Sequence, residues 1–317
     1  MFELPHRAPR AGAYGPGAMA CLVLGETLVD LICEQPADGL ADAAAFAPHF
    51  GGAGANVAVN AARRGARVAL AGGAGQDPWG EWLLERLRSE GVDTRFFALA
   101  EGRQTPVAFA TVTAQGEPSF AIYGEGISAA LAALDGRIDE AVEASEALSF
   151  ASNTLVGPER AVTLRARERA LSLGRPVCFD PNLRLERWPS PEAAVEAARA
   201  CLPGCLLVKA NAAEARLLTG EADPGRAADA LAAAGVALVV VTLGPDGALA
   251  RGAQSHEVPG RPARVVSTVG AGDAFLGTLL ARLQEMAWDP AHPGLREALA
   301  EAAEAGARAT ETWGAVA

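Results

Sequence analysis

The stretch Val265–Leu283, VVSTVGAGDAFLGTLLARL, sets an aspartate directly after Gly270, Ala271 and Gly272, where a β-branched run passes into a leucine-rich helical pattern. Small residues leave backbone N–H groups free to face a ligand. The positive end of the helix that starts near Asp273 adds to them, and together they make an anion hole. A carboxylate in such a hole repels a bound anion unless a proton or a metal intervenes. Asp273 therefore suits a general base that takes the proton of a hydroxyl while the N–H groups stabilise a transferring phosphoryl group. From local sequence alone, it also fits a plain helix cap. Other chemistry-bearing residues stand just after apolar runs: Asp180 with Asn182, Asn211 with Glu214, and the segment Thr242 to Gly247. Asn211 and Glu214 are three apart and so share one helical face.

The elements that must position these groups alternate along the chain. ALSFAS, PVCFDPN, CLLVKAN and VALVVVTLG read as strands, and helical patterns separate them. Such alternation implies a mainly parallel sheet with helices on both faces and ligands at the carboxyl ends of the strands, which is where the polar residues fall. Earlier in the chain, ACLVLGETLVDLI reads as a buried strand pattern broken by Gly-Glu-Thr and carrying Asp30 in apolar company. FGGAGANVAVNAARRG leads from a glycine-rich turn into a helix, and DPWGEWLLERLRSEG reads as a capped helix with Pro78 in its first turn. From Thr105 to Tyr123 the period changes to two, with a QGEP turn, which predicts a hairpin that must pair with further strands.

Composition removes several function classes. A net charge of −11 argues against a nucleic-acid partner. No apolar run approaches the roughly 18 residues of a membrane span, so a soluble cytoplasmic protein without a membrane partner is expected. The five cysteines, Cys21, Cys33, Cys178, Cys201 and Cys205, lack CxxC spacing and read as structural thiols. Residues 1–18 have no apolar signal region and read as a disordered extension, with Met19 an alternative start. The only lysine, Lys209, lacks the glycines of a P-loop. Gly270 and Gly272 are followed by Phe275 in place of the third glycine of a dinucleotide fingerprint, and neither a HExxH zinc helix nor a GxSxG elbow occurs.

The segments GETLVD, GGAGANVAVNAARRG, DPNLR, KANAAEA, TLGPDGA and STVGAGDAF follow one another in the order found in the ribokinase-like carbohydrate kinases, the phosphofructokinase-B (pfkB) group, and the chain resembles that family from Cys21 to Ala315. The resemblance implies a three-layer α/β/α core over residues 19–317 that binds ATP, and a small β-sheet lid over the sugar, contributed by about residues 30–50 and 103–125. It implies Asp273 as base and Gly270, Ala271 and Gly272 as the anion hole. Asp30, Gly51, Gly52 and Asn56 resemble sugar-hydroxyl binders. Asp180, Asn182 and Arg184 match an element near the phosphate and acceptor, although Arg184 also fits a structural ion pair. Asn211 and Glu214 resemble the pair that positions magnesium-bound phosphates, Glu214 through water. Thr242, Gly244 and Gly247 resemble the turn that lines the ATP phosphates.

The implied activity is transfer of the γ-phosphoryl group of ATP, with magnesium, to a sugar. Gly54 leans towards ribokinases, whereas GETLVD and DPNLRLERW lean towards fructokinases and 2-keto-3-deoxygluconate kinases. A ketohexose such as fructose is expected, with ribokinase, 2-keto-3-deoxygluconate kinase and nucleoside kinase activities as alternatives. A catalytically silent sugar or nucleotide sensor is the reading from another class. Two positions depart from the family pattern. Ser267 stands where an Asp usually begins the second signature, which predicts little dependence on a monovalent cation. The carboxyl-terminal helix lacks the Asn often found beside the adenine. The hairpin's small sheet cannot bury both faces alone, so a homodimer paired through the lids is expected.

Overall fold

The computed structural model describes residues 19–114, 118–123, 131 and 134–316. The amino-terminal extension of residues 1–18 and the Gln115–Glu117 part of the expected turn lie outside the described residues.

The apolar run that opens the chain divides at Gly25-Glu26-Thr27 into β1 (Met19–Leu24) and β2 (Leu28–Ile32), which enter different sheets. Then follow β3 (Ala47–Gly51), α1 (Ala53–Arg63), β4 (Val68–Gly75), α2 (Pro78–Ser89) and β5 (Phe97–Ala100). The expected hairpin is β6 (Val107–Val112) with β7 (Pro118–Tyr123). Next come α3 (Ile138–Glu143), β8 (Ser145–Ala151), α4 (Glu159–Ser172), β9 (Val177–Asp180), α5 (Pro191–Cys201), β10 (Leu207–Asn211), α6 (Ala212–Thr219) and α7 (Pro224–Ala233). The chain closes with β11 (Leu238–Thr242), β12 (Ala248–Gly252), β13 (His256–Val258), α8 (Ala271–Glu285) and α9 (Leu295–Ala309).

The large sheet has the order β13-β12-β11-β10-β9-β8-β1-β4-β5, parallel from β11 to β5 and antiparallel at β12 and β13. Its strands alternate between two cores, as period-two side chains must. Leu22 and Leu24 of β1, with Val239 and Val241 of β11, pack against α3, α4, α5, α6 and α7. Cys21 and Val23, with Leu238 and Val240, pack against α1, α2, α8 and α9. Three layers result. All five cysteines are buried and unpaired, as structural thiols should be. Among the described residues no helix is long and apolar enough to cross a membrane.

The second sheet has the order β3-β2-β6-β7. It is tied to the core at the start of α2, where Asp77 caps the helix by accepting from Gly80 N–H at 2.9 Å. The same carboxylate accepts from the Thr105 backbone N–H at 2.7 Å, just before β6. Ala108, Phe120 and Ile122 face the cleft between the two sheets. The alternate positions Phe109 and Tyr123 meet edge to face on the other side, where Phe46 joins Phe109.

Candidate active site

The carboxyl ends of the parallel strands and the inner face of the small sheet enclose a cavity of about 290 Å³. Asp30, Gly52, Asn56, Asn182, Arg184, Asn211, Glu214, Thr242, Gly270, Gly272 and Asp273 all line it. Gly51, Ala271, Gly244 and Gly247 do not. Gly51 packs so close to Asp30 that an added Cβ would stand 2.3 Å from its carboxylate. Gly244 and Gly247 bound the short helical turn after β11, whose Leu243 and Asp246 border a separate cavity of about 480 Å³.

Gly270 caps α8 in the left-handed conformation, φ 78°, with Ala315 packed where a side chain would go, so both backbone and space demand glycine. Asp273 then falls in the first turn, beside the free N–H groups of the helix start. Its Oδ2 accepts from Asn56 Nδ2 at 2.9 Å, across 217 residues of sequence. Burial pushes the Asp273 carboxyl up from 3.8 to about 7, against the hydrogen bond from Asn56 and the charge of Lys209, which lower it. Asp30 is 5% exposed and is pushed up to about 8 by burial first, then by the charges of Asp273 and Glu26. These two carboxyls thus titrate near neutrality as an interacting pair.

Sequence reasoning passed over Lys209. Its ammonium donates to Asp180 Oδ2 at 2.9 Å and lies 2.9 Å from the point where Gly272 would carry a Cβ, so a buried cation sits against the start of α8. The signal was available: one lysine in 317 residues, just after an apolar strand. Lys209 is held protonated by the carboxylates of Asp180 and Glu214, which outweigh its burial.

Glu214 and Asn211 form a reciprocal cap of α6: Asn211 Oδ1 accepts from Glu214 N–H, and Glu214 Oε2 accepts from Asn211 N–H, each at 2.9 Å. Glu214 Oε1 also accepts from Leu183 N–H at 2.9 Å, which fixes the loop that carries Asn182 and Arg184. Burial raises the Glu214 carboxyl above its ordinary value. Asp180 Oδ1 accepts from Asn182 N–H at 3.1 Å, and Asn182 takes the left-handed φ of 35°. Arg184 makes no ion pair among the described residues. Its guanidinium reaches only the Leu183 carbonyl, at 3.5 Å, and its charge bears on Asp273. Ser267 is fully buried and accepts from Val269 N–H at 3.2 Å. Two further polar residues lie on the cavity wall: Glu26, which stands inside the GETLVD segment without being singled out there, and Asn153, which nothing local marks.

A deep cleft with a buried aspartate on a glycine-lined helix start is the arrangement expected for phosphoryl transfer to a hydroxyl. The family model described as pfkB family carbohydrate kinase matches residues 19–317. The chain belongs to this family. Among curated members, Fructokinase-1 of Zea mays is 34% identical over 262 residues, covering 82% of this chain and 81% of its own length. Fructokinase-2 of Solanum lycopersicum is 32% identical over 299 residues, covering 92% and 90%. A double-mutant fructokinase from Vibrio cholerae O395, solved with fructose, ADP and potassium ion, superposes with a TM-score of 0.81 at 31% identity over 95% of this chain and 96% of that one. A putative ribokinase II from E. coli shares the fold, with a TM-score of 0.83 at 24% identity over 94% of each chain. The three-layer core with a smaller sheet is thus the ribokinase-like fold of carbohydrate kinases.

Proposed function

We propose that this pfkB kinase transfers the γ-phosphoryl group of ATP to a hydroxyl of a ketohexose, fructose above all. The observation that carries the reading is the Asn56–Asp273 hydrogen bond: it aims a carboxyl poised near neutrality at the junction of sugar cleft and anion hole. The fructokinases among the relatives support the choice of sugar.

Asp30 and Asn56 hold hydroxyls of the acceptor, since a carboxylate takes several hydrogen bonds. Asp273 takes the proton of the attacking hydroxyl. The oxygen–phosphorus bond to the sugar forms as the β–γ bridge of ATP breaks, and ADP leaves with the bridging oxygen. Charge on the phosphoryl oxygens is met by the N–H groups of Gly270 and Gly272 and by Lys209, whereas the Ala271 N–H is taken by the Thr268 carbonyl at 3.3 Å. Thr242 lines the nucleotide side of the cavity, and Arg184 adds an unpaired cation at its mouth. Glu214, on the cavity's polar wall beside Asn211, would hold a hard divalent cation through water. Magnesium held there would offset the negative charge of the ATP phosphates.

Coupled ADP release across sugars tests the proposal. Fructose should exceed ribose and adenosine in kcat/KM. Ribose or adenosine well above fructose would refute the acceptor assignment, and no turnover with any sugar would leave a sensor. The exposed Tyr123, with Phe46 and Phe109 beside it on the outer face, supports pairing of two lids in a homodimer. Light scattering that gives a monomer at micromolar concentration would overturn that pairing.

A further inference from the structure

One wall of the sugar cavity carries hydrogen-bonding atoms that have no partner among the described residues. Glu26, in the turn between β1 and β2, is 5% exposed; its Oε1 accepts from Ala53 N–H at 3.1 Å and from Asn153 Nδ2 at 3.0 Å. Its Oε2 is buried and unpartnered, as are Asn153 Oδ1 and Asn56 Oδ1. All three residues line the same cavity as Asp30. The amide orientations are fixed by their neighbours. Asn153 Nδ2 donates to Glu26 and Asn56 Nδ2 donates to Asp273, so turning either amide would set oxygen against carboxylate oxygen.

Every unsatisfied atom on this wall is therefore an acceptor. Buried acceptors need donors, and in a water-excluding cleft the ligand must supply them. Sugar hydroxyls donate. A carboxylate or phosphate offers only further acceptors to this wall. Nearby Arg187 does not reverse this, because its guanidinium is taken up by the Asn153 backbone carbonyl at 3.0 Å and by the fully buried Glu159 at 3.4 Å, and the cation of Arg184 bears on Asp273, at the phosphoryl end of the cavity.

We infer that Glu26 and Asn153 form a hydroxyl-reading subsite that makes this kinase select neutral, fully hydroxylated acceptors and reject sugar acids and deoxy sugars. The inference rests on the sugar-kinase reading and narrows its substrate class. Glu26 is the specificity-determining atom source: one oxygen holds the glycine-rich loop and Asn153, and the other reads the ligand.

The test uses fructose analogues in which one hydroxyl at a time is replaced by fluorine, which does not donate. With the unmodified enzyme, at least one position remote from the phosphorylated hydroxyl should lose on the order of 10²-fold in kcat/KM. Glu26→Gln keeps an acceptor for Ala53 and Asn153 but turns the ligand-facing atom into a donor. In this variant the fluorine penalty at that position should shrink to within about fivefold, while kcat/KM for fructose falls and that for 2-keto-3-deoxygluconate rises relative to it. Asn153→Ala should likewise reduce the penalty and provides a second variant should the first fail to fold. Calorimetric titration of fructose and its fluoro analogues gives the same comparison without turnover, so a failure of phosphoryl transfer is told apart from a failure of the subsite. An unchanged fluorine penalty in both variants, no penalty at any position, or preference of the unmodified enzyme for the sugar acid would overturn the inference.

Discussion

Asp273→Asn separates what the proposed base does from what its burial costs. Burial raises this group from 3.8 to about 7, so the folded protein holds its proton more tightly than the unfolded chain does. Stability from this group is complete below about pH 4 and is lost as pH rises through 7. Keeping the ionised carboxylate in the fold costs about 4 kcal/mol at pH 8.5, at about 1.4 kcal/mol per pH unit. Asp273 is half-buried and opens to the cleft. Solvent screening therefore reduces the expected cost to about 2 kcal/mol. Asn carries no charge, and its Oδ1 still accepts from Asn56 Nδ2. The variant should melt roughly 4 °C higher than the unmodified enzyme at pH 8.5. At pH 5 the unmodified carboxyl is largely protonated, and the gain should fall to less than half. The same substitution should lower kcat by roughly 10²-fold or more, and kcat/KM of the unmodified enzyme should rise with pH through about 7. Scanning calorimetry at the two pH values, beside coupled ADP release, reads all of this. A melting temperature at pH 8.5 no higher than that of the unmodified enzyme, or a gain as large at pH 5, would refute the reasoning.

Lys209→Met should lower kcat on the order of 10²-fold, with KM for fructose within a few-fold, and Lys209→Arg should keep more activity; equal kcat in the Met variant and the unmodified enzyme would remove Lys209 from the chemistry. Activity should depend little on potassium, and Ser267→Asp should create or strengthen a dependence; several-fold stimulation of the unmodified enzyme by potassium over tetramethylammonium at equal ionic strength would contradict this. Gly277→Ala should destabilise the fold by about 2 kcal/mol, because the added Cβ would lie 2.7 Å from both Asn60 Cβ and the Val57 carbonyl where α8 crosses α1; urea unfolding with an unchanged midpoint would show that the helices part without cost.

The sequence by itself determined the features that depend on neighbours along the chain. Apolar runs and the period-two alternation from Thr105 to Tyr123 placed the strands, the Gly-Ala-Gly before Asp273 marked a helix start, and the three-residue spacing of Asn211 and Glu214 put both on one helical face. In each case the interacting atoms lie within a few residues, so spacing and residue type suffice. Tertiary structure decided the rest. The apolar run from Ala20 to Ile32 reads as one interrupted pattern, but its halves serve different sheets, because their strand partners lie tens of residues away. Nothing local marks Glu26 as belonging with Asn153, 127 residues later, or Asn56 with Asp273. The lone Lys209 looked like a negative result for a P-loop; only the parallel stacking of β9 on β10 and the approach of α8 set its ammonium between Asp180 and Gly272. Glu214, expected to act through water, also uses both oxygens on backbone N–H groups, one of them in a distant loop. Charges and hydrogen-bonding atoms acquire their roles from what folding buries beside them, and that proximity is a property of packing that no linear spacing encodes.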